Sequence, residues 1–64
     1  MDVKAEVEMM EGRLREADIP VAEILREAGI AASSWQRWKT TGQVPLTSTW
    51  ERVQDAYKRR IRRR

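Results

Sequence analysis

Cysteine and histidine are both absent from this chain of 64 residues. Without cysteine the chain can form neither a disulfide nor a thiolate metal site, and without histidine it lacks a zinc ligand and the commonest general base. Only carboxylates and lysine remain for acid–base chemistry, and there is no glycine-rich phosphate loop. We therefore expect a protein that is not an enzyme and that binds no metal and no cofactor.

Long apolar runs are also missing. No segment approaches the roughly 18 apolar residues that a transmembrane helix requires, and no signal-peptide core is visible. A chain of this length has room for one hydrophobic core, so its stability is marginal unless oligomerisation or a ligand adds to it. These features predict a small cytoplasmic protein without membrane contact.

Charge is unevenly divided along the sequence. Residues 1–28 carry eight acids and four bases, a net charge of −4, whereas residues 29–64 carry nine bases and two acids, a net charge of +7. A basic half of this kind attracts a polyanion such as nucleic acid, and the acidic half offers a surface to a protein partner. The alternative is that these charges only keep the protein in solution around an unstructured basic tail.

Apolar residues recur at helical spacing in four segments, and no segment alternates as a strand would. Pro20 fits the first turn of a helix, while Gly29 and Gly42 suit the left-handed position just after one. Ser48 and Glu51 have the spacing of a capping box, in which the serine hydroxyl caps the fourth helix. We therefore predict an all-α fold, a compact bundle of four short helices at residues 2–17, 20–28, 32–41 and 48–61.

The third helix separates into two faces on a helical wheel at about 100° per residue. Trp35 and Trp38 share one face, and such rings bury a large apolar area in a small domain. We expect them to hold this helix against the second and fourth helices; the alternative is that they stack on unpaired bases. The expected core comprises Ile24, Ala28, Ile30, Trp35, Trp38, Trp50 and Val53.

Apolar stripes also run along the first and last helices. The stripe of the fourth helix is expected to contain Leu46, Trp50, Val53 and Tyr57, with Ile61 extending it. Two surfaces are candidates for contact with a second copy of the chain: Val3, Val7 and Met10 on the first helix, or Tyr57 and Ile61 on the fourth.

The segment from Val21 to Gly42 reads VAEILREAGIAASSWQRWKTTG, and Pro45 and TWERV follow it. Two short helices joined by about three residues at Gly29 form a helix-turn-helix pattern. Residues 19–59 resemble the phage-repressor and Cro-like (Xre-type) helix-turn-helix family of bacterial and prophage regulators. The resemblance implies binding to double-stranded DNA, a homodimer on two half-sites, and a place in the bacterial cytoplasm or nucleoid.

The resemblance makes residues 32–41 the recognition helix, whose outward face enters the major groove. Gln36 has the groups that pair with adenine, and Arg37 has those that pair with guanine or a phosphate. The residues predicted to read bases are Ser33, Gln36 and Arg37. Contacts with the DNA backbone are predicted for Ser34, Lys39, Thr40, Thr41, Gln43, Arg59 and Arg60.

The second helix departs from the family at its first turn. Pro20, Val21 and Ala22 stand where many members carry a polar side chain that clamps a phosphate, so only the backbone amides of Val21 and Ala22 remain for that role. Arg26 is expected to pair with Glu23 or Glu27 on its own helix.

The expected division of the chain is a DNA-binding domain at residues 1–57 and a basic helical extension or tail at residues 58–64. This basic segment can follow phosphates, enter a narrow minor groove, bind RNA, fray, or lead into a further domain. The expected function is sequence-specific binding of double-stranded DNA as a transcriptional repressor or activator.

Two alternatives remain open. The chain can be the DNA-recognition domain of a phage packaging protein of the small-terminase type, which would assemble into a ring. It can also be a protein-interaction module, in which the acidic N-terminal helix binds a protein partner and the basic end binds nucleic acid nonspecifically.

Overall fold

The fold is all-α, as predicted, with four helices gathered in a compact bundle. The computed structural model describes residues 2–62. None of the helices within that range has the length and apolar character needed to cross a membrane. The helices are α1 (Val3–Glu16), α2 (Val21–Ala28), α3 (Ala32–Thr41) and α4 (Thr47–Arg62).

The first two helices end in the same backbone motif. After α1, Asp18 adopts a left-handed conformation with φ 62°, and the amide of Ile19 donates to the carbonyl of Leu14 at 2.8 Å. After α2, Gly29 has φ 72°, and the amide of Ile30 donates to the carbonyl of Leu25 at 2.8 Å. This six-to-one hydrogen bond with a left-handed residue reverses the chain sharply and turns the apolar residue that follows towards the helix it leaves.

An alanine side chain fits at both Gly29 and Gly12, because neither has an atom within 4 Å of the position a Cβ would take. The effect of alanine on stability therefore depends on the backbone conformation at each position. Gly29→Ala should lower the free energy of unfolding by about 1–2 kcal/mol, since alanine is strained at positive φ. Gly12→Ala, inside α1, should raise it by about 1 kcal/mol. Urea unfolding followed by tryptophan fluorescence measures both. A Gly29→Ala variant as stable as the parent protein would contradict the left-handed turn.

The start of α4 differs from the prediction. The helix begins at Thr47, and the amide of Trp50 donates to the carbonyl of Leu46 at 2.9 Å. Ser48 therefore lies inside the first turn, where its own backbone is already helical, and the predicted capping box with Glu51 is wrong. Leu46 stands before the helix and is 76% exposed, so it does not belong to the buried stripe.

Two helix pairs make most of the interior contacts: α2 packs chiefly against α4, and α1 packs chiefly against α3. The hydroxyl of Tyr57 is buried and has no hydrogen-bond partner among residues 2–62, so this ring is held by its apolar contacts. The buried apolar residues are Val3, Val7, Met10, Leu14, Ile19, Ile24, Leu25, Ala28, Trp35, Trp38, Val53, Ala56 and Tyr57.

This packing corrects the surfaces suggested for a second copy of the chain. Val7 and Met10 are 0% exposed, and Val3 and Tyr57 are also buried in the chain's own core. These side chains make contacts within one molecule, because α1 packs against α3 and α4 packs against α2. Ile61, the remaining candidate, packs half-buried at the edge of the core.

The three tryptophans form a continuous row. Trp35 and Trp38 meet edge to face with ring centroids 5.9 Å apart, and Trp38 meets Trp50 in the same way at 6.0 Å. Trp35 and Trp38 are buried, whereas Trp50 and Ile30, both expected in the core, are half-buried at its edge. Trp38 thus connects α3 to the start of α4, as expected.

Trp38→Ala should lower the free energy of unfolding by about 3–5 kcal/mol, which is enough to unfold a domain of this size. The reason is that Trp38 is 5% exposed and contacts both other indole rings. Circular dichroism at 222 nm during thermal unfolding measures the loss. Trp50→Ala is the matched control and should lose distinctly less, because Trp50 is only half-buried. Equal losses would contradict the central position of Trp38.

Candidate nucleic-acid interface

The burial of two tryptophans on one side of α3 determines which side chains of this helix face the solvent. Trp35 and Trp38 lie in the core, so the opposite side of the helix faces away from the bundle. Arg37 forms no ion pair with any residue in the range 2–62. The side chains exposed on the outward face are Ser33, Gln36, Arg37 and Thr40. All three residues predicted to read bases are therefore accessible together on one helix face.

Glu11 of α1 holds α3 in place with both carboxylate oxygens. The indole Nε1–H of Trp35 donates to Oε2 of Glu11 at 2.9 Å, and the ammonium of Lys39 lies 3.0 Å from Oε1. Trp35 and Lys39 are one turn apart, so a single carboxylate bridges them. The indole N–H of Trp35 is thus directed to α1, a contact that was not predicted from the sequence.

Lys39, for which a phosphate contact is predicted, is 40% exposed but already holds this ion pair. Its side chain bends towards α1 and is paired with Glu11, whose side chain is only 16% exposed. A phosphate would have to compete with this carboxylate for the ammonium group. Sequence reasoning missed Glu11, although one signal was present: it lies between the buried residues Met10 and Leu14, at the edge of the apolar stripe.

Burial by itself would raise the pKa of Glu11. The hydrogen bonds from Trp35 and Lys39, and the positive charges of Lys39 and Arg15, outweigh that effect, so the pKa lies below its ordinary value of 4.5. A carboxyl group with a lowered pKa stabilises the fold above its unfolded-state pKa. That contribution is lost as the pH falls through the folded-state value.

Glu11→Gln should lower the free energy of unfolding near neutral pH by about 1–2 kcal/mol, because charge-assisted hydrogen bonds are lost. The variant should also lose stability less steeply than the parent protein as the pH is lowered below 4.5. Urea unfolding at a series of pH values measures both effects. The control is Glu8→Gln on the exposed side of α1, and an equal effect there would contradict the specific role of Glu11.

The threonines at the end of α3 use their hydroxyl protons within the helix. Thr40 Oγ1 donates to the carbonyl of Gln36 at 2.9 Å, and Thr41 Oγ1 donates to the carbonyl of Arg37 at 2.7 Å. Thr41 Oγ1 also accepts from the amide of Gln43 at 3.2 Å. Phosphate oxygens require donors, so these hydroxyls can serve the predicted backbone contacts only after leaving their present acceptors. The exposed side-chain amide of Gln43 is free of this restriction.

The beginning of α3 offers donors instead. Ala31 caps the helix without a side-chain hydrogen bond. Among residues 2–62, the first amides of α3 with a backbone partner are those of Ser34 and Trp35, both to the carbonyl of Ala31. Ser33 is exposed and Ser34 half-buried beside this end of the helix. Unpaired amides and the positive end of the helix dipole favour a phosphate there. The first turn of α2 is less suitable, because its acidic residue Glu23 repels phosphate.

Arg59 and Arg60 are engaged with α2. A guanidinium nitrogen of Arg60 lies 3.2 Å from a carboxylate oxygen of Glu23, and one of Arg59 lies 3.8 Å from a carboxylate oxygen of Glu27. The predicted pairing of these two acids with Arg26 is therefore wrong: the acids face α4, and α4 supplies the partners. The basic segment continues α4 as helix to Arg62; the remaining two arginines, at 63 and 64, lie outside the described residues.

A scan against protein-family models finds no match to this chain, and searches of curated proteins and of solved structures also find none. The resemblance to Cro-like regulators therefore depends only on the sequence pattern of residues 19–59. Within residues 2–62 there is no group of three or more acidic side chains placed to hold a metal ion.

Proposed function

We propose that this chain binds double-stranded DNA in a sequence-specific manner and acts as a transcriptional regulator, with α3 in the major groove. The observation that carries the proposal is the pair Gln36 and Arg37, exposed side by side on a helix whose opposite face is anchored by Trp35 and Trp38. Because the packing of its inward face already fixes α3, the helix loses little conformational entropy when it binds DNA. More of the free energy of its base contacts is then available for affinity and for discrimination between DNA sequences.

The chemistry of this face suits base edges. Gln36 pairs bidentately with N6 and N7 of adenine, and Arg37 with O6 and N7 of guanine. Ser33 sits one turn before them at the start of the helix, where its hydroxyl reaches a base edge or a phosphate. The recognition helix of a helix-turn-helix reads DNA with residues towards its N-terminal end, and these three side chains lie within the first six residues of α3.

One copy of such a small domain binds weakly, so we propose a dimer on two half-sites about 34–36 Å apart. The stripe on α1 is buried in the chain's own core and cannot supply this dimer contact. Among residues 2–62 the large apolar side chains left exposed are Met9, Val44 and Leu46, and a dimer would bury these. Val44 and Leu46 flank Pro45 in the loop after α3, which places an apolar surface close to the proposed recognition helix.

Selection from a random duplex library at near-physiological salt tests the base-reading role of α3. The parent protein should enrich a motif, and Gln36→Ala/Arg37→Ala should lose it. Arg37→Ala alone should weaken binding to the selected site by about 1–3 kcal/mol and relax one base position, because a bidentate base contact is removed. A palindromic motif would give the spacing of the dimer.

The control for charge is Arg13→Ala, which removes an exposed cation from α1 and should leave the motif unchanged. Loss of the motif in both variants, or no enrichment by the parent protein, would contradict base reading by α3. Binding without sequence preference would then favour the interaction module, and a ring in a solution mass measurement would favour the packaging protein.

A further inference from the structure

The outer face of α4 is strongly basic. The helix contains five bases and two acids between Thr47 and Arg62. Its apolar residues face α2 and the core, which leaves most of the charged side chains in water. Four of the exposed charged side chains, close together on the second half of the helix, line one shallow surface groove: Asp55, Lys58, Arg59 and Arg62.

The cations of α4 fall into two groups. Arg59 and Arg60 are paired with Glu27 and Glu23 of α2, and the side chain of Arg60 is only 33% exposed. A phosphate that bound Arg60 would have to compete with its hydrogen-bonded carboxylate, whereas the Arg59 pair is looser, because its atoms lie 3.8 Å apart and its side chain is 55% exposed. The other cations, Arg52, Lys58 and Arg62, are exposed and form no ion pair within residues 2–62.

We propose that Arg52, Lys58 and Arg62 form a second nucleic-acid surface, which binds the phosphate backbone without reading bases. Arg52 and Arg62 are ten residues apart on α4, which is about 15 Å along the axis of this helix. One strand of DNA presents a phosphate about every 3.4 Å along the axis of the double helix. The three cations can therefore engage separate phosphates. This inference rests on the proposed binding of nucleic acid but not on base reading by α3.

This surface is carried by a different helix from the outward face of α3. Ion pairs join the second half of α4 to α2, whereas α3 is held by Glu11 of α1. Lys58 and Arg62 therefore lie on the half of α4 that is joined to α2, the first helix of the helix-turn-helix pair. Nucleic acid is favoured over an anionic membrane because a membrane-surface helix must insert an apolar face. The apolar side of α4, including Val53 and Tyr57, is already buried in the core.

Neutralising the unpaired cations tests the proposal on the full chain. The α4 variant carries the three substitutions Arg52→Gln/Lys58→Gln/Arg62→Gln. It is compared with an α1 variant that loses the same charge from exposed positions of α1, Lys4→Gln/Arg13→Gln/Arg15→Gln. Fluorescence anisotropy with a short duplex that lacks any selected motif gives the affinity over a series of NaCl concentrations. Thermal unfolding verifies that both variants remain folded.

The α4 variant should flatten the plot of log affinity against log salt by about 2–3, since each lost phosphate contact contributes about 0.9. The α1 variant should leave the slope nearly unchanged. Asp55→Asn should strengthen binding, because it removes a carboxylate from the same surface. An unchanged slope in the α4 variant, or equal flattening in both variants, would overturn the proposal.

Two further measurements separate this surface from its rivals. Binding to vesicles of phosphatidylserine and phosphatidylcholine that depends on the same three cations, without binding to the duplex, would overturn the assignment to nucleic acid. Gln36→Ala/Arg37→Ala should abolish motif selection but retain most of the salt slope on the duplex without a motif. If the parent protein enriches no motif while the α4 variant still flattens the salt slope, base reading by α3 fails and the α4 surface stands. If the parent protein enriches a motif and the α4 variant leaves the slope unchanged, the α4 surface fails and base reading stands.

Discussion

The burial of Trp35 and Trp38 determines how α3 is presented, and the proposed interface depends on it. Turning α3 about its axis would bring two of the three indole rings into water, so the helix keeps Gln36 and Arg37 pointing outward. Glu11 adds a restraint along the axis, because sliding α3 past α1 would break the Trp35 hydrogen bond and the Lys39 ion pair together. Packing and one carboxylate thus preorganise a helix face that makes few contacts of its own with the rest of the bundle.

Three of the eight acids in residues 1–28 serve as counter-ions between helices. Glu11 pairs with α3, and Glu23 and Glu27 pair with α4, so acids from the first two helices meet bases from the last two. Each exposed pair contributes little to stability. The larger effect of these ion pairs is on binding, because they occupy some of the cations and leave the others free to contact a polyanion. The unpaired cations of α3 and α4 then define two outward surfaces of different chemistry.

The core also restricts how copies of the chain can associate. Most of the large apolar side chains of α1 and α4 are buried in the core. A chain of this size needs that buried area in order to fold. Within residues 2–62, the large apolar side chains that remain exposed are Met9 and, in the loop around Pro45, Val44 and Leu46. An association that used this loop would set the spacing of two α3 helices directly, since the loop follows α3 without a break.

The sequence by itself determined the four helices, the ends of α2 and α3 at glycine, and the outward position of Gln36, because periodicity and backbone preference are local properties. It did not reveal the left-handed conformation of Asp18, since aspartate also occupies ordinary turns. Tertiary structure decided which charges are engaged: Lys39 with Glu11, and the arginines of α4 with α2. Ion pairs between helices depend on which helices pack together and at what axial offset, and neither is encoded in the spacing of residues along one helix.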